Sequence, residues 1–269
     1  MSVPEGHPEI HGHQGKTCPV TGRGNRFCPP QADDSRSVCP ALNTMANHGY
    51  ISRDGKNLSA LDITRGLRAC YNLSYPLAYF LAYVGYAILH KPFGRLSLQD
   101  IGKHNAVEHN ASLVHHDWQD TPEHNKLAPI KIDQTLVDAL CADVRPSAKE
   151  VEAAGPESGA RFLINAVDVA RARVRREKEC GPIDSVHAEI ARGEMAIILG
   201  VWEVKTRTKA GIPMEYFRRW ISEERLPDDW KPDHAQGLLN TIKRSKSIRT
   251  AQAKFQQEEA QPLPTSEKN

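Results

Sequence analysis

Cys39 precedes Pro40, and Gly49 closes the run that follows, in the stretch SVCPALNTMANHGYISRDG. Proline suits the first position of a helix and glycine the position just past its end, so this spacing predicts a short helix with Cys39 at its N-cap. There the free N–H groups and the positive end of the helix dipole stabilise a thiolate, the form in which cysteine ligates a metal. The residue types alone leave Cys39 open between a disulfide half, a zinc ligand, a nucleophile, a haem ligand and a buried structural thiol. Cys18-Pro19 and Cys28-Pro29 repeat the dipeptide, but neither leads into a helical run closed by glycine.

Glu108-His109-Asn110-Ala111-Ser112 gathers a carboxylate, an imidazole and a hydroxyl within five residues. Oxygen ligands such as Glu108 and Ser112 suit a hard cation, magnesium or manganese. His109 is a candidate general acid–base or the orienter of one. The plain alternative is a polar surface loop, although His104, His115, His116 and Asp117 make the region rich in histidine. Glu194, in ARGEMAIILGVW, is a lone acid at the edge of an apolar run, a candidate for acid–base work or a solvated helix residue beside Arg192. The sequence contains no GxGxxG, no Walker loop and no GxSxG, so no nucleotide, flavin or serine-hydrolase site is indicated.

The elements that must carry these residues read as helices. Ser59 and Asp62 form a capping-box pattern ahead of a stripe at Leu61, Thr64, Leu67 and Tyr71. Pro76 starts a helix over 78–90 that is apolar nearly all round, hence expected to be buried. Ser97-Leu-Gln-Asp100 caps a helix to about Asn105, and residues 133–144 have helical spacing. Ser147–Glu150 fits a capping box, 158–178 is amphipathic with a basic end that suits the dipole, and Asp184 caps 185–201. Pro213 starts 213–224, and 235–247 forms a last helix. No strand alternation and no internal repeat is found. The expected organisation is an irregular arm over 1–36, one all-α domain over 37–250 and a polar, disordered tail over 251–269.

Bulk properties set the bounds. A chain of 269 residues with 39% hydrophobic and 25% charged content is that of an ordinary globular protein. A net charge of +2 gives no broad pull toward nucleic acid or membrane. Pro76 to Leu89, the longest apolar run, is too short to span a bilayer. Six cysteines without a CxxC pair are too sparse for a disulfide scaffold. Asn57, Asn72 and Asn110 head glycosylation sequons, which matter only on a secretory route. The first residues carry no apolar signal core, so the expectation is an intracellular chain or the mature form of a secreted one.

Taken together, the three motifs resemble those of the fungal haem-thiolate peroxidases, the family of the chloroperoxidases and unspecific peroxygenases, whose motif is written PCP…EHD…E. Here it stands as Val38-Cys39-Pro40, Glu108-His109-Asn110 and Glu194, with Val38 at the family proline and Asn110 at the family aspartate. CPALNTMANHGYISRDGKNLS, GEMAIIL and YFRRWISEERLPDDWKP are similar to further family stretches, and the resemblance covers roughly 37 to 232. The modest length and the 6% aromatic content look like the short peroxygenases.

The resemblance implies a chloroperoxidase-like fold of about eight helices around haem b. It implies Cys39 as axial thiolate and Glu194 as distal acid–base, with His109 as its partner. It further implies a magnesium or manganese ion beside a haem propionate, held by Glu108, the backbone of His109 and Ser112. Hydrogen peroxide and small organic molecules would be the substrates of a monomer or homodimer that needs no nucleic acid and no membrane span. Phe80, Phe93, Phe162 and Phe217 are candidates for the substrate channel or for ordinary core packing. Two alternatives stand beside this reading. One is a haem-thiolate protein redirected to a dehydratase, isomerase or desaturase step. The other is a helical metal protein using His7, His11, His13, Cys18, Cys28 and Cys39, whose spacing fits no standard zinc pattern.

Overall fold

The first helix ends where glycine is required. α1 (Pro40–Asn47) has proline in its first turn and Cys39 in extended conformation at its N-cap. Gly49, two residues past its end, has φ +69°, and a Cβ there would meet the Lys16 carbonyl oxygen at 2.5 Å. The structure is a computed structural model describing residues 10–121, 126–145, 163–181, 183–205, 210–228 and 230–260.

α2 (Ala60–Tyr71) opens on the expected capping box: Ser59 Oγ accepts the Asp62 N–H at 3.2 Å, and Asp62 Oδ2 accepts the Ser59 N–H at 2.9 Å. Its Gly66 lets α2 close on α1, since a Cβ there would lie 2.8 Å from Met45 Cε. α3 (Tyr75–Ile88) packs on α2 and corrects the expectation of a fully buried helix. Leu77, Ala78, Ala82 and Tyr86 are buried, whereas Tyr75, Tyr79, Phe80, Val84 and Ile88 are exposed. One face meets α2 and the cavity described below. On the other, Tyr75, Tyr79 and Tyr83 stack at four-residue spacing, with centroids 6.0 and 4.0 Å apart, and shield one another.

A short 3-10 turn at Leu98–Gly102 replaces the helix expected to Asn105, and a second 3-10 turn follows at Trp118–Asp120. α4 (Gln134–Ala142) follows, then α5 (Ala166–Glu179), capped by Asn165 rather than running from 158. α6 (Ser185–Trp202) begins at Asp184 as its spacing predicts. α7 (Met214–Glu223) and α8 (Leu238–Ala260) complete eight α-helices among the described residues. The capping-box pattern Ser147–Glu150, the first residues of the 158–178 pattern, His7 and Phe162 lie outside the described residues.

Two further expectations give way. A small antiparallel sheet is present, with β1 (Leu163–Ile164), β2 (Val204–Lys205) and β3 (Ala210–Pro213) in the order β1-β3-β2. β1 and β2 have only two residues each, and the four of β3 run exposed and then buried three times over, so none carries an alternation. The final helix also continues through Ala260 instead of giving way to a tail at 251. Ile248 is fully buried, Gln252 donates to Glu177 Oε1 at 3.2 Å, and the Arg171 guanidinium lies 5.1 Å from the Phe255 ring, so α8 is held along its length by α5. The fold is thus mostly helical as expected, and no described helix is long and apolar enough to cross a membrane.

Candidate active site

A cavity of about 300 Å³ sits among α1, α2, α3, α6, α7 and the loop 107–116. Cys39, Glu108, His109, Ser112 and Glu194 all line it, although they come from three separate regions of the chain. Most of the remaining wall is apolar, including Leu67, Leu81, Leu113, Ile197, Val201 and Phe217. Of the candidate channel phenylalanines, only Phe217 is on that wall among the described residues; Phe80 and Phe93 are exposed elsewhere.

The position of Cys39 is fixed by polar contacts behind it. The Ser37 N–H donates to Asn43 Oδ1 and Asn43 Nδ2 donates to the Ser37 carbonyl, both at 2.8 Å, while the Cys39 N–H donates to Ser37 Oγ at 3.0 Å. Asn43 Nδ2 also donates to Glu224 Oε1 at 2.6 Å. Arg36 grips Asn47 Oδ1 through Nε and Nη2, at 3.1 and 2.8 Å. Burial raises the Glu224 carboxyl to about 7, against the pull of the Asn43 bond and the Arg36 charge. Burial likewise pushes the Cys39 thiol up to about 11, while the N–H groups of Leu42 and Ala41 favour its anion.

The loop that carries Glu108 to Ser112 is stapled from outside. Arg173 Nη1 donates to the Ala111 carbonyl at 2.7 Å, and Arg176 Nε donates to the Ser112 carbonyl at 2.8 Å. The Ala111 N–H donates to Asp117 Oδ1 at 2.8 Å. Ala111 is thereby held at φ +61°, a left-handed conformation that costs an alanine on the order of 1 kcal/mol. The basic end of α5, expected to complement the helix dipole, also supplies buried Arg173 and Arg176, which fix the loop. Single-residue pattern reading gave no signal for them beyond Arg173 and Arg176 standing three apart on one helix face.

His109 and Glu194 meet in the cavity, with Nε2 and Oε2 3.5 Å apart. His109 Nδ1 lies 2.7 Å from the Asn110 carbonyl oxygen, which can only accept, so Nδ1 carries a hydrogen and Nε2 is the atom turned to Glu194. Burial alone would lower the imidazole, but the Glu194 carboxylate outweighs it and His109 is raised above its ordinary value. In this pair His109 is buried and the Glu194 side chain is 52% exposed, open to whatever enters.

Glu108 and Ser112 are partly engaged already. Glu108 Oε2 lies 2.8 Å from His104 Nδ1, and the His104 ring stacks on Trp118 at 4.6 Å. Burial raises the Glu108 carboxyl. Ser112 Oγ accepts the N–H groups of His115 and Val114, at 3.1 and 3.3 Å. A cation at Glu108 would therefore reach the Ser112 oxygen only by displacing one of those bonds. Asn110 Oδ1 is buried without a hydrogen-bond partner among the described residues, a spare oxygen donor in the same loop. Cys39 lies apart from the cluster formed by His11, His13, Cys18 and Cys28, so the cysteines do not form one metal site.

Sequence comparison places this arrangement in context. The family described as Peroxidase, family 2, matches residues 25–235. A dothistromin biosynthesis peroxidase of Dothistroma septosporum is 44% identical over 59 residues, 22% of this chain and 14% of that protein. An aromatic peroxidase of Fusarium equiseti is 35% identical over 75 residues, 27% of this chain and 17% of that protein. A chloroperoxidase of Leptoxyphium fumago is 54% identical over 33 residues, 12% of this chain and 9% of that protein. The matched stretches thus span less than a fifth of each relative.

Proposed function

The chain belongs to the family 2 peroxidases, and on that premise we propose that it is a haem-thiolate peroxygenase, using hydrogen peroxide to insert oxygen into C–H or C=C bonds of small organic molecules. The observation that carries this reading is that Cys39 and the His109–Glu194 pair line one largely apolar cavity. The donor chemistry fits haem b: an apolar wall for the macrocycle, and a sulfur at a helix N-terminus with the Ala41 and Leu42 N–H groups directed at it. What bound haem supplies is a redox metal whose thiolate ligand favours O–O cleavage.

The protein's own groups then have these tasks. Cys39 would hold the iron as thiolate, the metal's charge offsetting the burial that raises the free thiol. Asn43, Ser37 and Glu224 keep that sulfur in place. Glu194, as carboxylate, would accept a proton from one oxygen of hydrogen peroxide and deliver it to the other. His109 would orient Glu194 across the 3.5 Å contact. The apolar wall receives an organic substrate and excludes bulk water from the reacting oxygen. Magnesium or manganese held by Glu108 and the His109 carbonyl, with Ser112 recruited by giving up one backbone bond, would brace the loop that carries His109.

The test is the absorption spectrum of haem-loaded protein, ferric and then reduced under carbon monoxide. A strongly red-shifted Soret band in the wild type, lost in Cys39→Ala, is expected. Absence of a Soret band with ample haem, or persistence of the red shift in Cys39→Ala, overturns the assignment. Peroxide-dependent oxygenation of a hydrocarbon by the same preparation distinguishes this activity from a redirected role.

A further inference from the structure

The arm before α1 folds back on itself and brings four soft ligand atoms together away from the cavity. His11 Nε2 lies 3.1 Å from His13 Nε2, 3.3 Å from Cys18 Sγ and 3.4 Å from Cys28 Sγ. Cys28 Sγ lies 3.4 Å from both His13 Nε2 and Cys18 Sγ. All four ligand atoms fall within 4.8 Å of one another, and three of the four residues are buried. We propose that His11, His13, Cys18 and Cys28 bind a structural zinc ion that locks the arm onto α1.

The distances support a common centre. A tetrahedral ion with Zn–S of about 2.3 Å and Zn–N of about 2.05 Å separates its ligands by about 3.8 Å for S···S, 3.6 Å for S···N and 3.4 Å for N···N. The five close edges, 3.1 Å for N···N, 3.3 to 3.4 Å for S···N and 3.4 Å for S···S, are each a few tenths of an ångström shorter than these, and the sixth, Cys18 Sγ to His13 Nε2, lies within 4.8 Å. A disulfide is not the explanation, because 3.4 Å between the sulfurs is far beyond the S–S bond of about 2.05 Å. The set of two thiolates and two imidazoles in a tetrahedron selects zinc among the common divalent ions.

The surroundings are those of a built site. His13 Nδ1 lies 2.7 Å from Asp34 Oδ2, which fixes the tautomer and directs the Nε2 lone pair at the centre, as an outer-shell carboxylate does for a metal-bound histidine. The Thr21 N–H donates to Cys18 Sγ at 3.3 Å, as an amide does to a thiolate. With four protein ligands the centre is closed to substrate, so its role is structural. The sequence spacing, one residue between the histidines, four to the first cysteine and nine to the second, resembles no common zinc pattern; only the fold-back of the arm brings the ligands together.

The site is wired to the helix that carries Cys39. Asp34 Oδ2 also accepts from Arg36 Nη2 at 3.3 Å, and Arg36 grips Asn47 on α1. The Cys28 N–H donates to the Asn47 carbonyl at 2.9 Å. Fully buried Arg53 ties the carbonyls of Lys16 and Arg26, inside the arm, to that of Asn47, at 2.9, 3.0 and 2.6 Å. Zinc at one end and α1 at the other therefore close a single polar network.

The test does not depend on haem. Full-length protein, purified in reductant and dialysed, is analysed for metals by mass spectrometry. About one zinc per chain is expected, lost in Cys18→Ser and Cys28→Ser and kept in Cys39→Ser. Since the first two variants can fail to fold, the wild type is also alkylated with and without a zinc chelator, and Cys18 and Cys28 should become reactive only with it. Cobalt(II) exchanged into the site should give the intense visible bands of a tetrahedral thiolate complex. Protein that refuses zinc, that carries another metal there, or that shows a mass two hydrogens lighter from a Cys18–Cys28 disulfide overturns the proposal.

Discussion

Replacing Glu194 by Gln removes one charge and almost no volume, so it isolates the electrostatic half of the His109–Glu194 pair. At the observed 3.5 Å separation, Coulomb attraction is about 1 kcal/mol in a water-like medium and about 5 kcal/mol at an effective dielectric of about 20. Because the Glu194 side chain is 52% exposed, the lower end applies, about 1 to 2 kcal/mol. The sign follows from what is left behind. Without the carboxylate, burial and the Arg173 charge both disfavour the imidazolium, so the pKa of His109 falls. The assay is an NMR pH titration of the histidine ring resonances, with the His109 signal assigned from its absence in His109→Gln. Haem-loaded Glu194→Gln should also keep its Soret band and lose peroxide-dependent turnover by about 10²-fold or more, the usual worth of a general acid–base. A His109 pKa that is unchanged or raised would refute the charge pairing, and unchanged turnover would refute the role of Glu194.

Two further predictions concern pH and metal. His48 is buried with both ring nitrogens engaged, Nδ1 to the Asn25 carbonyl at 2.8 Å and Nε2 to the Leu226 N–H at 3.0 Å, and burial lowers its pKa to about 4. The unfolded chain then binds the extra proton first. The folded state should lose up to about 3 kcal/mol as pH falls from about 6.5 to 4, with no such loss above that window. Urea midpoints at pH 7 and 4.5 should show a smaller drop in His48→Gln than in the wild type, and equal drops would sink the assignment. Removing magnesium and manganese should loosen haem retention in the wild type but change little in Glu108→Gln; a wild type indifferent to divalent ions counts against the cation at Glu108.

Helix starts were the most legible part of the fold. The Ser59–Asp62 capping box, Asp184 ahead of α6 and Pro40 after Cys39 each act within about four residues, so a local pattern contains the whole cause. Less legible were the ends set by packing. α8 runs to Ala260 because Gln252 and Phe255 find partners on α5, and α3 leaves a tyrosine face in solvent while its opposite side packs on α2.

By itself, then, the sequence determined the helical class, the helix N-terminus at Cys39 and the chemical types at Glu108, His109, Ser112 and Glu194, since these depend on residue identity and short-range hydrogen bonding. The tertiary structure alone decided which of those groups meet. The bond from Asn43 to Glu224 crosses 181 positions and that from Arg173 to Ala111 crosses 62, and neither leaves a periodic trace. The same holds for the fold-back that gathers His11, His13, Cys18 and Cys28: their irregular spacing spells no pattern, and their convergence follows from Asp34, Arg36 and Arg53 tying the arm to α1. Long-range polar contacts of this kind are selected by geometry in the folded chain, where buried donors and acceptors must find one another.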